Sequence, residues 1–251
     1  MDDEWRKLWD MRTWEDDKEC EYDEARDRAL KEKAEVHFGR VFQMCTEKHS
    51  EDEVLRRYKG RVVFQGNKVT DQSATMAVFQ EIGSSACLLT ASKLADAIAA
   101  SPGNSGRQSD APQAYTQALL RGILILIELP REQWPKHWFD ENGQPKYRRP
   151  VCPLRLALYG HPLSGVFWEE HCNKGLSKCG FGKVPSWEQC FYHPGLELFL
   201  VVYVDDFKLV GPEANLKKGW ELISQHVRLD TPTALQKYLG CDHVLSTTTP
   251  E

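Results

Sequence analysis

The sequence predicts an α+β fold of antiparallel strands and amphipathic helices. A continuous apolar run at 198–204 is followed, after an Asp-Asp pair, by a second run at 207–210. Blocks of β-branched and aromatic residues bounded by polar residues suit buried strands, so the two runs predict a hairpin. Apolar residues at helical spacing predict helices within 73–100, and a further helix is expected at 215–227. With 251 residues, 41% of them hydrophobic, the chain can bury one sizeable core.

Asp205 and Asp206 stand at the predicted hairpin turn and are the first candidates for a functional site. Two adjacent carboxylates repel each other, and a cation such as Mg²⁺ relieves that repulsion. Aspartate is also a common turn former, so a turn without chemistry is the alternative.

Two further blocks precede this hairpin in an informative order. Residues 110–115 read Asp-Ala-Pro-Gln-Ala-Tyr, and residues 158–165 read Leu-Tyr-Gly-His-Pro-Leu-Ser-Gly. Together with the Tyr-Val-Asp-Asp of residues 203–206, they resemble the palm of a reverse transcriptase of the copia type. Residues 58–66 resemble the Tyr-Lys-Ala-Arg-Leu-Val-x-x-Gly block of that family's fingers, and 237–241 resemble its later Phe-Leu-Gly element.

The resemblance spans roughly residues 55 to 245 and implies a right-hand polymerase palm with fingers. The implied palm is an antiparallel sheet with helices packed on one face, and the thumb is expected to be absent or incomplete. The expected division is an acidic helical leader at 1–54, a fingers-like segment at 55–109 and a palm-like segment at 110–251. We expect the chain to be an excised or degenerate piece of a retroelement polyprotein.

The resemblance implies RNA-directed DNA polymerase activity, in which a primer 3′-hydroxyl attacks the α-phosphate of a deoxynucleotide. Two divalent ions, Mg²⁺ or alternatively Mn²⁺, would be held by Asp110, Asp205 and Asp206. Tyr203 and Val204 complete the motif around the aspartate pair.

The same resemblance implies a set of nucleotide-binding residues. Tyr115 would lie under the sugar and exclude a 2′-hydroxyl, although an ordinary half-buried aromatic is the alternative. The others implied to contact the nucleotide or templating base are Lys59, Arg61, Gly160, Pro162, Ser164 and Gly165. Lys59 and Arg61 alternate with apolar residues, as on a strand with one solvated face, and a simple solvated charge pair is their alternative.

The sequence departs from the family pattern at two places. Ala111 and Pro112 follow the first aspartate, where the family commonly has a β-branched and then a polar residue. After the glycine of the middle block the family commonly has Leu-Lys-Gln-Ala-Pro-Arg, whereas residues 161–166 here read His-Pro-Leu-Ser-Gly-Val, so basic contacts to nucleic acid are expected to be fewer.

The formal net charge of −5 is unevenly distributed along the chain. Residues 1–57 hold 18 acidic and 12 basic side chains, which leaves 19 acidic and 20 basic for the rest. The acidity therefore lies in the leader and does not argue against a nucleic-acid partner for the remainder. We expect a primed RNA or DNA template and dNTP as partners, with other Pol regions or a second copy, and no membrane. An intracellular setting is expected, in the cytoplasm or in virus-like particles.

A second functional hypothesis is a catalytically inactive retroelement remnant that only binds nucleic acid or protein. A metal-dependent phosphohydrolase is a more distant alternative, because the sequence lacks the usual His-rich pattern. The spacing of Cys172, Cys179, Cys190 and His193 is not typical of a structural zinc site, so free thiols are expected.

Overall fold

In the computed structural model the chain forms two units that alternate along the sequence. The first unit comprises residues 1–82 and 118–167, and the second comprises 83–117 and 168–251. The structure describes residues 2–48, 50, 53, 54, 56–79 and 87–244. Within those ranges the helices are α1 (Asp2–Asp10), α2 (Tyr22–Glu32), α3 (Leu89–Ala99), α4 (Ser164–Lys178) and α5 (Glu213–Ser224).

Thirteen strands are present in the described part of the chain. They are β1 (Cys20–Glu21), β2 (Val36–Lys48), β3 (Arg57–Phe64), β4 (Asn104–Asp110), β5 (Leu124–Glu128), β6 (Pro150–Pro153), β7 (Gly182–Lys183), β8 (Cys190–His193), β9 (Leu198–Tyr203), β10 (Asp206–Pro212), β11 (Thr233–Ala234), β12 (Lys237–Tyr238) and β13 (Cys241–Asp242).

The first unit is built on a five-stranded sheet with the order β1-β6-β5-β2-β3. β2 runs parallel to β5 and antiparallel to β3. Successive side chains of β2 alternate between the two faces. Phe38 packs with Tyr22 of α2 on one face, whereas Val41 packs with Trp5 of α1 on the other.

The segment predicted as a helical leader contains both α1 and α2. Its tryptophans are packing residues: the ring centroids of Trp9 and Trp14 lie 4.9 Å apart, and Trp5 is buried. The same segment also supplies β2, the longest strand, which pairs with β3 and β5. The leader segment is thus part of the first unit, and the division into fingers-like and palm-like segments stays a prediction.

The second unit is built on a six-stranded antiparallel sheet with the order β11-β4-β10-β9-β8-β7. Leu200 and Phe207 face α4 and α5 on one side of the sheet. Val201 and Val210 face α3 on the other side. The expectation of helices on one face only is therefore wrong, because the apolar runs of β9 and β10 have buried side chains on both faces.

The predicted helices are partly confirmed. α5 confirms the helix predicted at 215–227, but it begins two residues earlier, at Glu213, and ends three residues earlier, at Ser224. Within 73–100, only α3 is helical among the described residues; Met76 instead bridges to Thr70, and residues 80–86 lie outside the described part. No helix in the described ranges is long and apolar enough to cross a membrane.

Candidate active site

The Asp-Asp pair lies at the tip of the β9–β10 hairpin, as the sequence predicts. Tyr203 and Asp206 are paired across the two strands, which leaves Val204 and Asp205 as the turn residues. Val204 has a φ of 54°, a conformation that β-branched residues rarely adopt. The indole Nε1 of Trp168 donates a hydrogen bond of 2.7 Å to the Val204 carbonyl and so holds this turn in place.

The first predicted catalytic residue reaches the same end of the sheet. Asp110 ends β4 and lies directly opposite Asp206 on β10, so their side chains leave the sheet on the same face. The backbone N–H of Ala111 donates to the Asp205 carbonyl at 2.7 Å, which joins the end of β4 to the hairpin turn. Asp110 is therefore a neighbour of the Asp205-Asp206 pair in the second unit, although it lies far from the pair in sequence.

The three carboxylates influence one another electrostatically. Partial burial of Asp206 raises its pKa to about 6, and the negative charges of Asp205 and then Asp110 add to the rise. Both causes penalise the ionised form of Asp206. The end of the sheet therefore carries an excess of negative charge.

The chemistry of this donor set fits a hard divalent cation, because carboxylate oxygens are the ligands that Mg²⁺ prefers and a cation would relieve the repulsion at Asp206. The side chains do not form a ready-made cage, however. Within the described ranges, no group of three or more His, Cys, Asp or Glu residues is arranged to hold a metal ion. Binding would require these side chains to draw together around the cation.

Replacing Asp206 with asparagine is expected to change how stability depends on pH. Because the folded pKa of Asp206 lies above the ordinary value of 3.8, the folded protein holds this proton more tightly than the unfolded chain. Wild-type stability should therefore fall as pH rises from about 4 to 6 and stay level above that, by about 1–2 kcal/mol after allowance for solvent screening. Urea unfolding at several pH values should show Asp206→Asn gaining that amount relative to wild type.

Asp27 lies exposed on α2 and provides the matched control. Asp27→Asn should show no such gain relative to wild type across this range. An Asp206→Asn difference that stays constant from pH 4 to pH 7 would rule out the raised pKa.

Tyr115 lies in the short 3-10 turn Ala114–Gln117 that follows β4. Its half-buried ring packs against the core between the sheet and α4 and α5. The ring is thus attached to the unit that carries the aspartates, five residues after Asp110. A contact of Tyr115 with the sugar stays a prediction.

The two predicted basic residues lie on β3 of the first unit. Val62 and Phe64 are buried there and Arg61 is half-buried, which confirms the predicted alternation in the second half of the strand. In the first half Tyr58 is exposed, as Lys59 is, so the alternation is absent there. The Arg61 guanidinium lies 4.3 Å from the ring centroid of Tyr159, at cation–π distance.

The glycines of two motif blocks meet where their backbones cross. The Phe64 N–H donates to the Tyr159 carbonyl at 2.7 Å. A Cβ on Gly160 would lie 2.1 Å from the Phe64 oxygen, and one on Gly66 would lie 2.2 Å from the Gly160 oxygen. Both positions therefore need glycine because the two backbones pack closely, whether or not a nucleotide contacts them.

The remaining residues of the middle block differ in exposure. Pro162 is exposed and Gly165 is half-buried. Ser164 is only 2% exposed, and its hydroxyl donates to the Leu158 carbonyl at 2.7 Å and accepts from the Leu158 N–H at 3.0 Å. This hydroxyl holds the turn before α4, so we assign Ser164 a supporting role in place of direct nucleotide contact.

His161 supplies no positive charge to the middle block. Its ring is buried against Phe64 and Phe79, and burial lowers its pKa to about 4, with His37 contributing. His161 is therefore neutral near pH 7.

Sequence reasoning missed two residues that support the candidate site. Trp168 lies three residues after the middle block and has no role predicted from the sequence, although it holds the Val204 turn. Lys208 is fully buried beside α3, where it pairs with Asp96. Within the described part of the chain, Cys172, Cys179 and Cys190 are buried free thiols.

Comparison with known families agrees with this arrangement. A family model described as reverse transcriptase (RNA-dependent DNA polymerase) matches residues 37–249. No match was found among curated proteins. The matched range covers most of the chain and includes Asp110, the middle block and the β9–β10 hairpin. The chain therefore belongs to the reverse transcriptase (RNA-dependent DNA polymerase) family, which is the family found in copia-type elements.

Proposed function

We propose that this chain is the RNA-directed DNA polymerase domain of a copia-type retrotransposon, with Asp110, Asp205 and Asp206 as its catalytic carboxylates. The observation that carries the proposal is the cross-strand pairing of Asp110 with Asp206, beside the Asp205 turn. Turn formation alone explains Asp205 but gives no reason for a third aspartate from β4 to reach the same end of the sheet.

Two Mg²⁺ ions, or Mn²⁺, would be held by these three side chains. When bound, they would lower the pKa of the primer 3′-hydroxyl and neutralise the departing phosphates. The role of the chain is to place its carboxylates at the end of a rigid sheet. The β4–β10 ladder and the bond from the Ala111 N–H to the Asp205 carbonyl fix the backbones of all three aspartates.

Membership of the family supports a set of contacts to the incoming deoxynucleotide. Tyr115 would lie under its sugar and exclude ribonucleotides, and Lys59 and Arg61 would bind its triphosphate. Their support is the exposed face of β3, on which both basic side chains stand. Gly160, Pro162 and Gly165 would contact the templating base or the nucleotide.

One observation favours the alternative of an inactive remnant that only binds nucleic acid or protein. No ready metal-binding group occurs among the described residues, so the polymerase must gather its carboxylates when the ions and substrates bind. An inactive remnant would leave them apart.

Primer extension on poly(rA) with an oligo(dT) primer, dTTP and Mg²⁺ separates the two functions. Wild type should extend the primer, and Asp205→Asn should lose about a hundredfold or more of that activity, because a metal-ligand charge is removed. Asp27→Asn, on the exposed surface of α2, should extend like wild type.

Each other outcome has a definite meaning. Unchanged extension by Asp205→Asn would contradict the assigned carboxylates. If wild type binds the template but extends no primer, the polymerase proposal is wrong and the chain is an inactive remnant that only binds nucleic acid.

A further inference from the structure

A small basic pocket lies in the first unit, and none of its charged lining residues belongs to a polymerase motif. Its volume is about 220 Å³, and its charged lining residues are Arg40, Lys68, Glu128 and Arg149. Three cations thus face one carboxylate. The volume is below the roughly 300 Å³ at which small-molecule sites begin, so the pocket suits one anionic group of a larger molecule.

The two guanidinium groups are held in place before any ligand arrives. Glu128 accepts a hydrogen bond of 2.6 Å from Arg149 and one of 3.3 Å from Arg40. The Arg149 guanidinium also lies 3.7 Å from the ring centroid of Tyr22. A single carboxylate therefore gathers two guanidiniums at the same place, and this preorganisation lowers the entropic cost of binding an anion.

The third cation and two neutral groups complete the pocket. Lys68 is exposed, and its ammonium makes no ion pair with the described residues. Gln65 and Thr70 also line the pocket. Glu128 satisfies one positive charge, which leaves about two in excess.

We infer that this pocket binds a phosphodiester group of the nucleic-acid strand on which the chain acts. The identification of this strand as a polymerase substrate rests on the proposed function. Planar guanidinium groups bind phosphate through charge-assisted, often bidentate hydrogen bonds, and contacts to phosphates position a protein on nucleic acid without reading sequence. The pocket supplies such a contact in a chain whose net charge is −5.

Binding of a fluorescein-labelled poly(rA)·oligo(dT) duplex, followed by anisotropy between about 50 and 200 mM salt, tests the inference. Arg40→Gln/Lys68→Gln should bind about tenfold more weakly at the lower salt, because charge-assisted hydrogen bonds are lost. The slope of log affinity against log salt should become shallower by about 1. Lys7→Gln/Lys31→Gln removes the same charge from exposed positions on α1 and α2 and should change affinity less than about twofold.

Several outcomes would overturn the inference. Equal losses in the two double variants would mean that only net charge matters. If the pocket variant lost a thermal shift by dTTP or inorganic phosphate but kept duplex affinity, the ligand would be a free phosphate compound and the strand contact would be wrong. Lys68→Gln alone keeps the test decisive should the double variant fail to fold, with an expected loss of about threefold.

The readout also distinguishes this inference from the polymerase proposal. A wild type that binds the duplex through the pocket but extends no primer would overturn the polymerase function and leave the pocket standing. If wild type extends primers while Arg40→Gln/Lys68→Gln binds the duplex as tightly as Lys7→Gln/Lys31→Gln, the polymerase function stands and the pocket inference is wrong.

Discussion

Replacing Lys208 with alanine is expected to lower the free energy of unfolding by about 3–5 kcal/mol, because it leaves a partly buried carboxylate without its cation and opens a cavity. Lys208 is fully buried on β10, and its ammonium pairs with Asp96 of α3. The ammonium also donates to the Ser92 carbonyl at 3.3 Å and to the Ser92 hydroxyl at 3.2 Å. Urea unfolding of wild type and variant measures the difference.

The same ammonium group also contacts the β12–β13 hairpin, which matches the family's Phe-Leu-Gly element. His243 places its Nε2 3.1 Å from the Lys208 ammonium and 2.9 Å from the Asp96 carboxylate. The Tyr238 ring centroid lies 5.1 Å from the ammonium, and its hydroxyl donates to the carbonyls of Val201 and Asp206. Loss of Lys208 should therefore loosen the hairpin that supports the backbone of a candidate catalytic residue.

Three comparisons make the Lys208 prediction decisive. Lys218→Ala, at an exposed position on α5, should change stability by no more than about 0.5 kcal/mol. Lys208→Met keeps most of the volume and should cost less than alanine. Adding Asp96→Leu to Lys208→Met should restore part of the loss, since removing both charges leaves none unpaired. Equal stability of Lys208→Ala and Lys218→Ala would contradict the buried network.

The hairpin and its aspartates could be predicted from the sequence because the determining signal is local. Two runs of β-branched and aromatic residues around Asp205 and Asp206 specify strand, turn and strand within thirteen positions. Burial of Lys208 could not be predicted in this way. Its partner Asp96 lies 112 positions earlier, and a lysine within a strand ordinarily indicates a solvated position.

The leader shows the same limit on sequence reasoning. Its density of mixed charges is typical of surface helices, and α1 and α2 are indeed helical. β2 was missed because its first half forms a strand through parallel pairing with β5, which lies about 88 residues later in the chain. The second half of β2 is largely exposed and carries no apolar alternation that would indicate a strand.

Replacing Gly160 with alanine is expected to destabilise the first unit by about 3–5 kcal/mol, because a side chain there meets backbone atoms and an unfavourable φ together. The new Cβ would lie 2.1 Å from the Phe64 oxygen and 2.6 Å from Cγ1 of Val63, and Gly160 has a φ of +86°. Backbone atoms cannot swing aside as a flexible side chain can. Urea unfolding followed by the fluorescence of the tryptophans measures the loss.

Two other glycines separate the contributions to that loss. Gly66 has no left-handed φ, but its Cβ would lie 2.2 Å from the Gly160 oxygen, so Gly66→Ala reports the steric clash alone, about 2–3 kcal/mol. Gly143 has a φ of +75° with nothing within 4 Å, so Gly143→Ala reports the backbone conformation alone, about 1 kcal/mol. A Gly160→Ala loss no larger than that of Gly143→Ala would show that the two backbones do not cross closely.

The crossing also links stability to the candidate nucleotide site. It holds Tyr159 beside β3 through the hydrogen bond from the Phe64 N–H, and Arg61 lies over the Tyr159 ring. A variant that separates the two backbones should therefore release the Arg61 guanidinium from its ring. In primer extension, Gly66→Ala should then raise the KM for dTTP more than it lowers kcat, because the proposed triphosphate contact of Arg61 is disturbed while the three aspartates are unchanged. An unchanged KM in a folded Gly66→Ala variant would show that the crossing serves the fold alone.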